Sequence, residues 1–210
     1  LAKYSQELYG SLEAETGVAT GFKRVGSITV ALSEERKEEI FRSAAMARAF
    51  GVDIEEISAQ EVGARYPHLN LEGVKAGVFL DKDGQGDPAN IALALAKGAR
   101  QRGALVQERV KVTGIARNGR RVTGVDWQAE DGSNGHISCD MIVNCGGMWA
   151  RALGQQHNVG VPLHACEHYY LVTEPIDTLS RDLPVLRSYC DGTYFKEDAG
   201  KLLFGFAHHH

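Results

Sequence analysis

Two short stretches of this sequence carry residues that could do chemistry. The first is Glu167-His168-Tyr169-Tyr170, inside a run of strand-forming residues from Leu163 to Thr173. Period-two alternation puts His168 and Tyr170 on one face, and Glu167 and Tyr169 on the other. A His beside a Tyr in a sheet can bind a carboxylate, shuttle a proton or hold an amine. It can equally be a hydrogen-bonded structural His. Tyr194, in the later run Thr193-Tyr194-Phe195-Lys196, can line the same pocket or pack in the core. The second stretch is Val143-Asn144-Cys145-Gly146-Gly147-Met148-Trp149. An apolar strand ending in two glycines lets a ligand approach the backbone, and a following helix offers N–H groups to an anion. In open α/β sheets ligands sit beyond the carboxyl ends of the strands, where such a turn falls. A plain strand-to-helix turn would have the same residues.

Other constellations are weaker. Gly84-Gln85-Gly86 lacks the third glycine of a dinucleotide-binding loop, and its acidic setting (Asp81, Asp83, Asp87) suits phosphate poorly. No Gly-x-Ser-x-Gly elbow supports a serine nucleophile. His157 and His164 have no partners at metal-ligand spacing. The 4 cysteines form no CxxC pair, which argues for free thiols in a reducing compartment rather than for zinc or a disulfide scaffold.

These residues need elements to position them. The spacing predicts a helix over 1–16 stopped by Gly17, β-structure over 22–32, and a charged helix over 34–50 closed by Gly51. Ser58-Ala59-Gln60-Glu61 is a capping box whose short helix ends near Tyr66, before Pro67. A strand over 74–80 leads through the 81–86 loop to the clearest helix, capped by Asp87 with Pro88 at its first position and running to Gly103. A strand is expected over 104–107. A meander follows, 110–116 and 121–128 about an Asn118-Gly119 turn, then a strand over 136–144. A helix from about Met148 to Gly154 comes next, and strands over 163–173, 185–189, 193–196 and 202–206 complete a mixed α/β chain.

The 210 residues carry 23 basic against 27 acidic side chains, a net charge of −4, with no basic run, so a nucleic-acid partner is not expected. No apolar stretch is long enough for a transmembrane helix, and no signal peptide opens the chain. Leu1 falls inside an amphipathic pattern (Leu1, Tyr4, Leu8, Leu12), and the 201–206 strand runs straight into His208, His209 and His210, which read as a tag. The sequence therefore reads as an excerpt of a longer protein.

Gly84-Gln85-Gly86-Asp87-Pro88, the Ala-rich helix, Val112-Thr113-Gly114-Ile115 and Ile142-Val143-Asn144-Cys145-Gly146-Gly147-Met148-Trp149-Ala150 together resemble the D-amino-acid-oxidase-type FAD-dependent oxidoreductases. Pro162-Leu163-His164-Ala165-Cys166-Glu167-His168-Tyr169-Tyr170-Leu171-Val172-Thr173-Glu174 is similar to the sarcosine and dimethylglycine dehydrogenase branch. The resemblance covers nearly all of the chain before the tag, and residues 144–173 are its specific part.

The resemblance implies a partial FAD-binding Rossmann-like domain (residues 81–154) interleaved with a substrate domain on a mixed, mostly antiparallel sheet (1–80 and 155–207), with 208–210 as tag. It implies hydride transfer from an N-methyl amino acid to FAD. Where a folate domain outside this chain is present, it implies passage of the one-carbon unit to tetrahydrofolate. An electron-acceptor protein, and a cytoplasmic location or the mitochondrial matrix of a eukaryote, follow from the same likeness. By resemblance, Val112 matches the position whose backbone meets the adenine end of FAD. Cys145, Gly146, Gly147 and Trp149 match the turn beside the cofactor, and His168 and Tyr194 match substrate-facing positions. Competing expectations are a non-catalytic binding or assembly module, and a related flavoenzyme acting on a D-amino acid or glycerol 3-phosphate. The sequence contains no GxGxxG loop, and so lacks the main pyrophosphate contacts of such a cofactor. The 210 residues alone are therefore expected neither to hold FAD firmly nor to turn over substrate. Titration of FAD into the purified chain checks this, and micromolar binding with a flavin spectral shift overturns it.

Overall fold

The computed structural model describes residues 1–206; the tag reading at 208–210 lies outside the described residues. The elements run α1 (Ala2–Thr16), β1 (Ser27–Ala31), α2 (Glu34–Ala49), β2 (Glu55–Ser58), α3 (Ala59–Arg65), β3 (Ala76–Leu80) and α4 (Pro88–Gln101). Then come β4 (Val110–Asn118), β5 (Arg121–Ala129), β6 (Asn134–Ser138), a 3-10 turn at Gly147–Trp149 and α5 (Ala150–Gln156). The chain closes with β7 (Tyr169–Val172), β8 (Val185–Ser188), β9 (Thr193–Asp198) and β10 (Lys201–Phe206). Among the described residues no helix is long and apolar enough to cross a membrane.

Helices α2, α3 and α4 start where side chains satisfy their first amides. Ser33 accepts from the Arg36 amide at 3.2 Å, and Asp87 accepts from the Asn90 amide at 3.0 Å with Pro88 behind it. Ser58 and Glu61 form the expected reciprocal capping box of α3.

The chain divides into two compact units: Leu1–Ala104 together with the segment from His168 onward, and Leu105–Glu167. The first is built on a seven-stranded sheet in the order β2-β3-β1-β8-β9-β10-β7. Its neighbours are antiparallel except β1 beside β8, so the sheet is mixed but mostly antiparallel, as expected. One face buries Ile28, Val30, Ile57 and Leu186 against Val62, Tyr66, Leu179 and Leu183, with Phe195 packed beside them. The other face buries Ala31 and Val78 against Ile40 and Ala44 of α2. That helix covers only the β1–β3 side of its face. The second unit is the β4-β5-β6 meander with the 3-10 turn and α5.

One expected strand is not formed and two are shortened. Residues 104–107 and 141–144 enter no ladder, and the strand expected from 163 begins only at Tyr169. The pattern is apolar enough, but a strand exists only where a neighbour accepts and donates its backbone hydrogen bonds. None does so among the described residues, and Leu105, Met141 and Val143 remain 80%, 79% and 76% exposed.

A buried carboxylate anchors the β9–β10 hairpin. Its two-residue turn has Ala199 at φ 52 and Gly200 at φ 84, the mirror-image turn that suits strand twist but strains a residue with a Cβ. The Glu197 side chain, 1% exposed, takes the Gly200 amide at 2.6 Å and Arg181 Nη1 at 2.8 Å on Oε1. Lys23 Nζ reaches Oε2 at 3.5 Å, and Gln85 Nε2 donates to the Glu197 carbonyl at 3.0 Å. Burial pushes the carboxyl pKa up, but the Gly200 amide, Arg181 and Lys23 outweigh it and hold the net value below the usual glutamate range.

Folded-state depression means that the stabilisation from Glu197 is complete above the ordinary carboxylate range. It is lost as pH falls through the lowered folded value. Glu197→Gln removes the charge and is expected to cost about 2 kcal/mol, less than a fully buried pair because Arg181 and Lys23 are partly solvated. Urea unfolding at neutral pH measures the loss. Repeated in acid, it should show the gap between the two proteins closing.

Candidate functional site

The open part of the sheet face gathers the residues with chemistry. The pairing register runs Thr29 to Arg187, Arg187 to Tyr194, Tyr194 to Gly205 and Gly205 to Tyr170, one row across β1, β8, β9, β10 and β7. Cross-strand partners share a face, so this row continues the face that α2 covers farther over at Ala31 and Val78. It is polar because no helix comes down on it to make an apolar layer.

His168 sits just before β7 and Tyr194 sits on β9, with β10 between them. Their side chains nevertheless meet. His168 Nε2 and the Tyr194 hydroxyl are 3.0 Å apart, and the rings stack at 5.5 Å between centroids with planes 7° apart. His168 is exposed and Tyr194 half-buried, so the pair is open to solvent on one side. Such a pair can pass or hold a proton at the shared hydrogen bond and present a flat polar surface to a small cation or amine.

Arg187 was not among the residues singled out from the sequence. It stands directly opposite Tyr194 in the register, and its exposed guanidinium makes no ion pair or hydrogen bond among the described residues. One signal could have found it: a single charge in the otherwise uncharged strand Val185-Leu186-Arg187-Ser188. Lys196, two residues along β9 from Tyr194, shares the same face by alternation. It lines an open cavity of about 510 Å³ with Lys23, Gln85 and Asp87, where the Gln85 Oε1 is buried without a hydrogen-bond partner.

The other predicted residues lie in the second unit. Cys145 and Trp149 are exposed at the turn, Trp149 at 71%. Asn144 ties the turn at both ends: its Oδ1 accepts from the Gly146 amide at 3.1 Å, and its Nδ2 donates to the Ala150 carbonyl at 3.0 Å. Gly147 has φ 51, and a Cβ there would meet nothing within 4 Å. The amides of Gly146, Trp149 and Ala150 are already engaged, to Asn144 Oδ1, the Gly146 carbonyl and the Gly147 carbonyl. The turn thus offers open backbone at Gly147 more than a crown of free N–H groups. Val112 lies on β4, partly exposed, next to a register shift that leaves Thr113 outside the pairing with β5.

Residues 1–210 match the family described as FAD dependent oxidoreductase, the D-amino-acid-oxidase type, and the chain belongs to it. It is 35% identical over 208 residues to the mitochondrial pyruvate dehydrogenase phosphatase regulatory subunit of Mus musculus, covering 98% of this chain and 23% of that protein. It is 35% identical over 199 residues to the mitochondrial sarcosine dehydrogenase of Homo sapiens, covering 92% of this chain and 21% of that one. Against the mitochondrial dimethylglycine dehydrogenase of Rattus norvegicus the identity is 34% over 204 residues, with 96% and 23% covered. The chain therefore spans less than a quarter of the length of each of these relatives. The fold is that of L-proline dehydrogenase from P. horikoshii, with a TM-score of 0.81 at 24% identity, over 97% of this chain and 53% of that one.

The Asn144 clamp generates a local prediction. Asn144→Ala removes two hydrogen bonds worth about 1 kcal/mol each and is expected to loosen the turn without unfolding the sheet of the first unit. Hydrogen exchange measures this, with faster exchange confined to the amides of residues 145–151.

Proposed function

We propose that this chain is part of an FAD-dependent amine dehydrogenase acting on an N-methyl amino acid of the sarcosine or dimethylglycine type. The single observation that carries the reading is the His168–Tyr194 pair, hydrogen-bonded at 3.0 Å on an uncovered sheet face. The family membership supplies the cofactor class, and the likeness to sarcosine and dimethylglycine dehydrogenases supplies the substrate class.

Membership in the family implies FAD, and residues of this chain fit such a group. The turn at Gly147 is open where a side chain would stand, Cys145 and Trp149 are exposed beside it, and the bulge after Val112 leaves backbone unpaired. In the reading proposed here, Cys145, Gly146, Gly147 and Trp149 would hold the cofactor near one end and Val112 near its adenine. When bound, FAD would supply the acceptor for a hydride from the N-methyl carbon, and the substrate would leave as an iminium for water to hydrolyse.

This chain's own residues prepare the amine. A protonated amine has no lone pair to support loss of hydride, so a base must keep it neutral. His168 fills that role, with Tyr194 fixing the imidazole by the hydrogen bond and the stacked ring. Arg187, unpaired and opposite Tyr194, is placed for the substrate carboxylate, since guanidinium and carboxylate match as a bidentate pair. In a eukaryote the reading expects the mitochondrial matrix, in keeping with relatives named as mitochondrial, and otherwise the cytoplasm.

A second reading is a regulatory module in which the same fold carries no turnover. It is favoured by one observation, the 35% identity to a protein named as a regulatory subunit over 98% of the chain. Flavin bleaching separates the two. Sarcosine or dimethylglycine added anaerobically to the flavin-loaded full-length protein should bleach it under the dehydrogenase reading, and His168→Ala should slow bleaching by about 10²–10⁴-fold. A loaded protein that no N-methyl amino acid bleaches belongs to the regulatory reading.

A further inference from the structure

We propose that Gly205 is a positioning residue for the His168–Tyr194 pair: its missing side chain is the gap through which the Tyr194 ring crosses β10. Neighbouring strands lie about 4.8 Å apart, so β9 and β7, two spacings apart, are separated by nearly 10 Å. An upright tyrosine on β9 projects away from the sheet and does not reach a residue at the mouth of β7. Tyr194 reaches His168 by lying down over the strand between them, and Gly205 is its register partner on that strand.

The space is fully used. A Cβ built on Gly205 would fall within 2.5 Å of three Tyr194 atoms: Cε1, Cζ and the hydroxyl oxygen. Contacts that close do not occur, so even alanine here forces the ring to move. Backbone conformation does not explain the glycine. Gly205 is absent from the residues with positive φ and lies mid-strand, where glycine is otherwise unfavourable. What the position requires is the absence of a side chain. The leaning ring also affects the next strand over. Tilted over β10, it turns away from β8 and leaves the Arg187 side of the row uncovered.

Only the activity arm of the test rests on the functional reading above, so the two fail separately. The direct readout is the His168 imidazole, followed by NMR at fixed pH in the protein without any substrate. Gly205→Ala is expected to remove the ring-current shift of the stacked tyrosine and to bring the His168 ring resonances to the positions given by Tyr194→Ala. The double variant should add nothing to either single change. In the substrate-reducible protein, flavin reduction should slow equally in all three. A folded Gly205→Ala protein whose His168 resonances match the parent overturns the inference. If Gly205→Ala fails to fold, adding Tyr194→Ala should restore folding to the level of Tyr194→Ala alone; a double variant that stays unfolded overturns it as well. A His168 change in a protein that no N-methyl amine reduces supports the positioning role and removes the amine reading alone.

Discussion

The geometry of the open sheet face depends on one buried negative charge. Glu197 lies in β9, three residues from Tyr194, and binds the turn amide, a guanidinium and an ammonium from three different segments. A carboxylate taken from water is stable only if its lone pairs are filled, so these partners are obligatory rather than ornamental. By holding them it fixes the β9–β10 hairpin against the segments around Lys23 and Arg181. It also offsets a turn in which Ala199 is forced into the left-handed region. The hairpin is in turn what sets Tyr194 and Gly205 opposite each other.

Chemistry on this face comes from what is missing as much as from what is present. α2 covers one side of the face and stops, so the row from Arg187 to Tyr170 keeps polar side chains. Gly205 leaves a bare strand position, and a ring occupies it. The second unit repeats the device without the same setting. There Gly124 lies beneath His136, which is 2.8 Å from Asp126, and Gly135 lies beneath the Trp127 ring. A glycine in a strand is unfavourable alone and is tolerated where a neighbouring ring fills the space. Only on the first unit's sheet does the ring span a whole strand to reach a histidine.

The chain belongs to the FAD-dependent oxidoreductases over its whole length, so both units are parts of that family's fold. The relatives differ in what their names say, some dehydrogenases and one a regulatory subunit. A shared fold thus does not decide whether there is turnover. The polar residues of the first unit's open face are few: a histidine, a tyrosine hydrogen-bonded to it, and an exposed arginine in register with that tyrosine.

Much of the local structure was legible in the residues themselves. Ser33, Ser58 and Asp87 announce helix starts because their short side chains satisfy amides within three residues. Gly119 marks a hairpin because the turn after Asn118 needs positive φ at that position. His168 and Tyr194 could be named from residue type and family likeness. Their contact could not, because it depends on β10 entering the sheet between β9 and β7, a pairing between segments that no local pattern encodes. For Arg187 the sequence offers a lone charge in an otherwise uncharged strand, but that it stands opposite Tyr194 is set by strand register. The apolar runs at 104–107 and 141–144 show the converse. Their sequences favour strands, but a strand is a relation between two segments, and composition specifies only one of them. The sequence by itself determined caps, turns and which side chains could react. Only the tertiary structure decided which of them meet, because hydrogen-bond ladders and close packing join residues far apart along the chain.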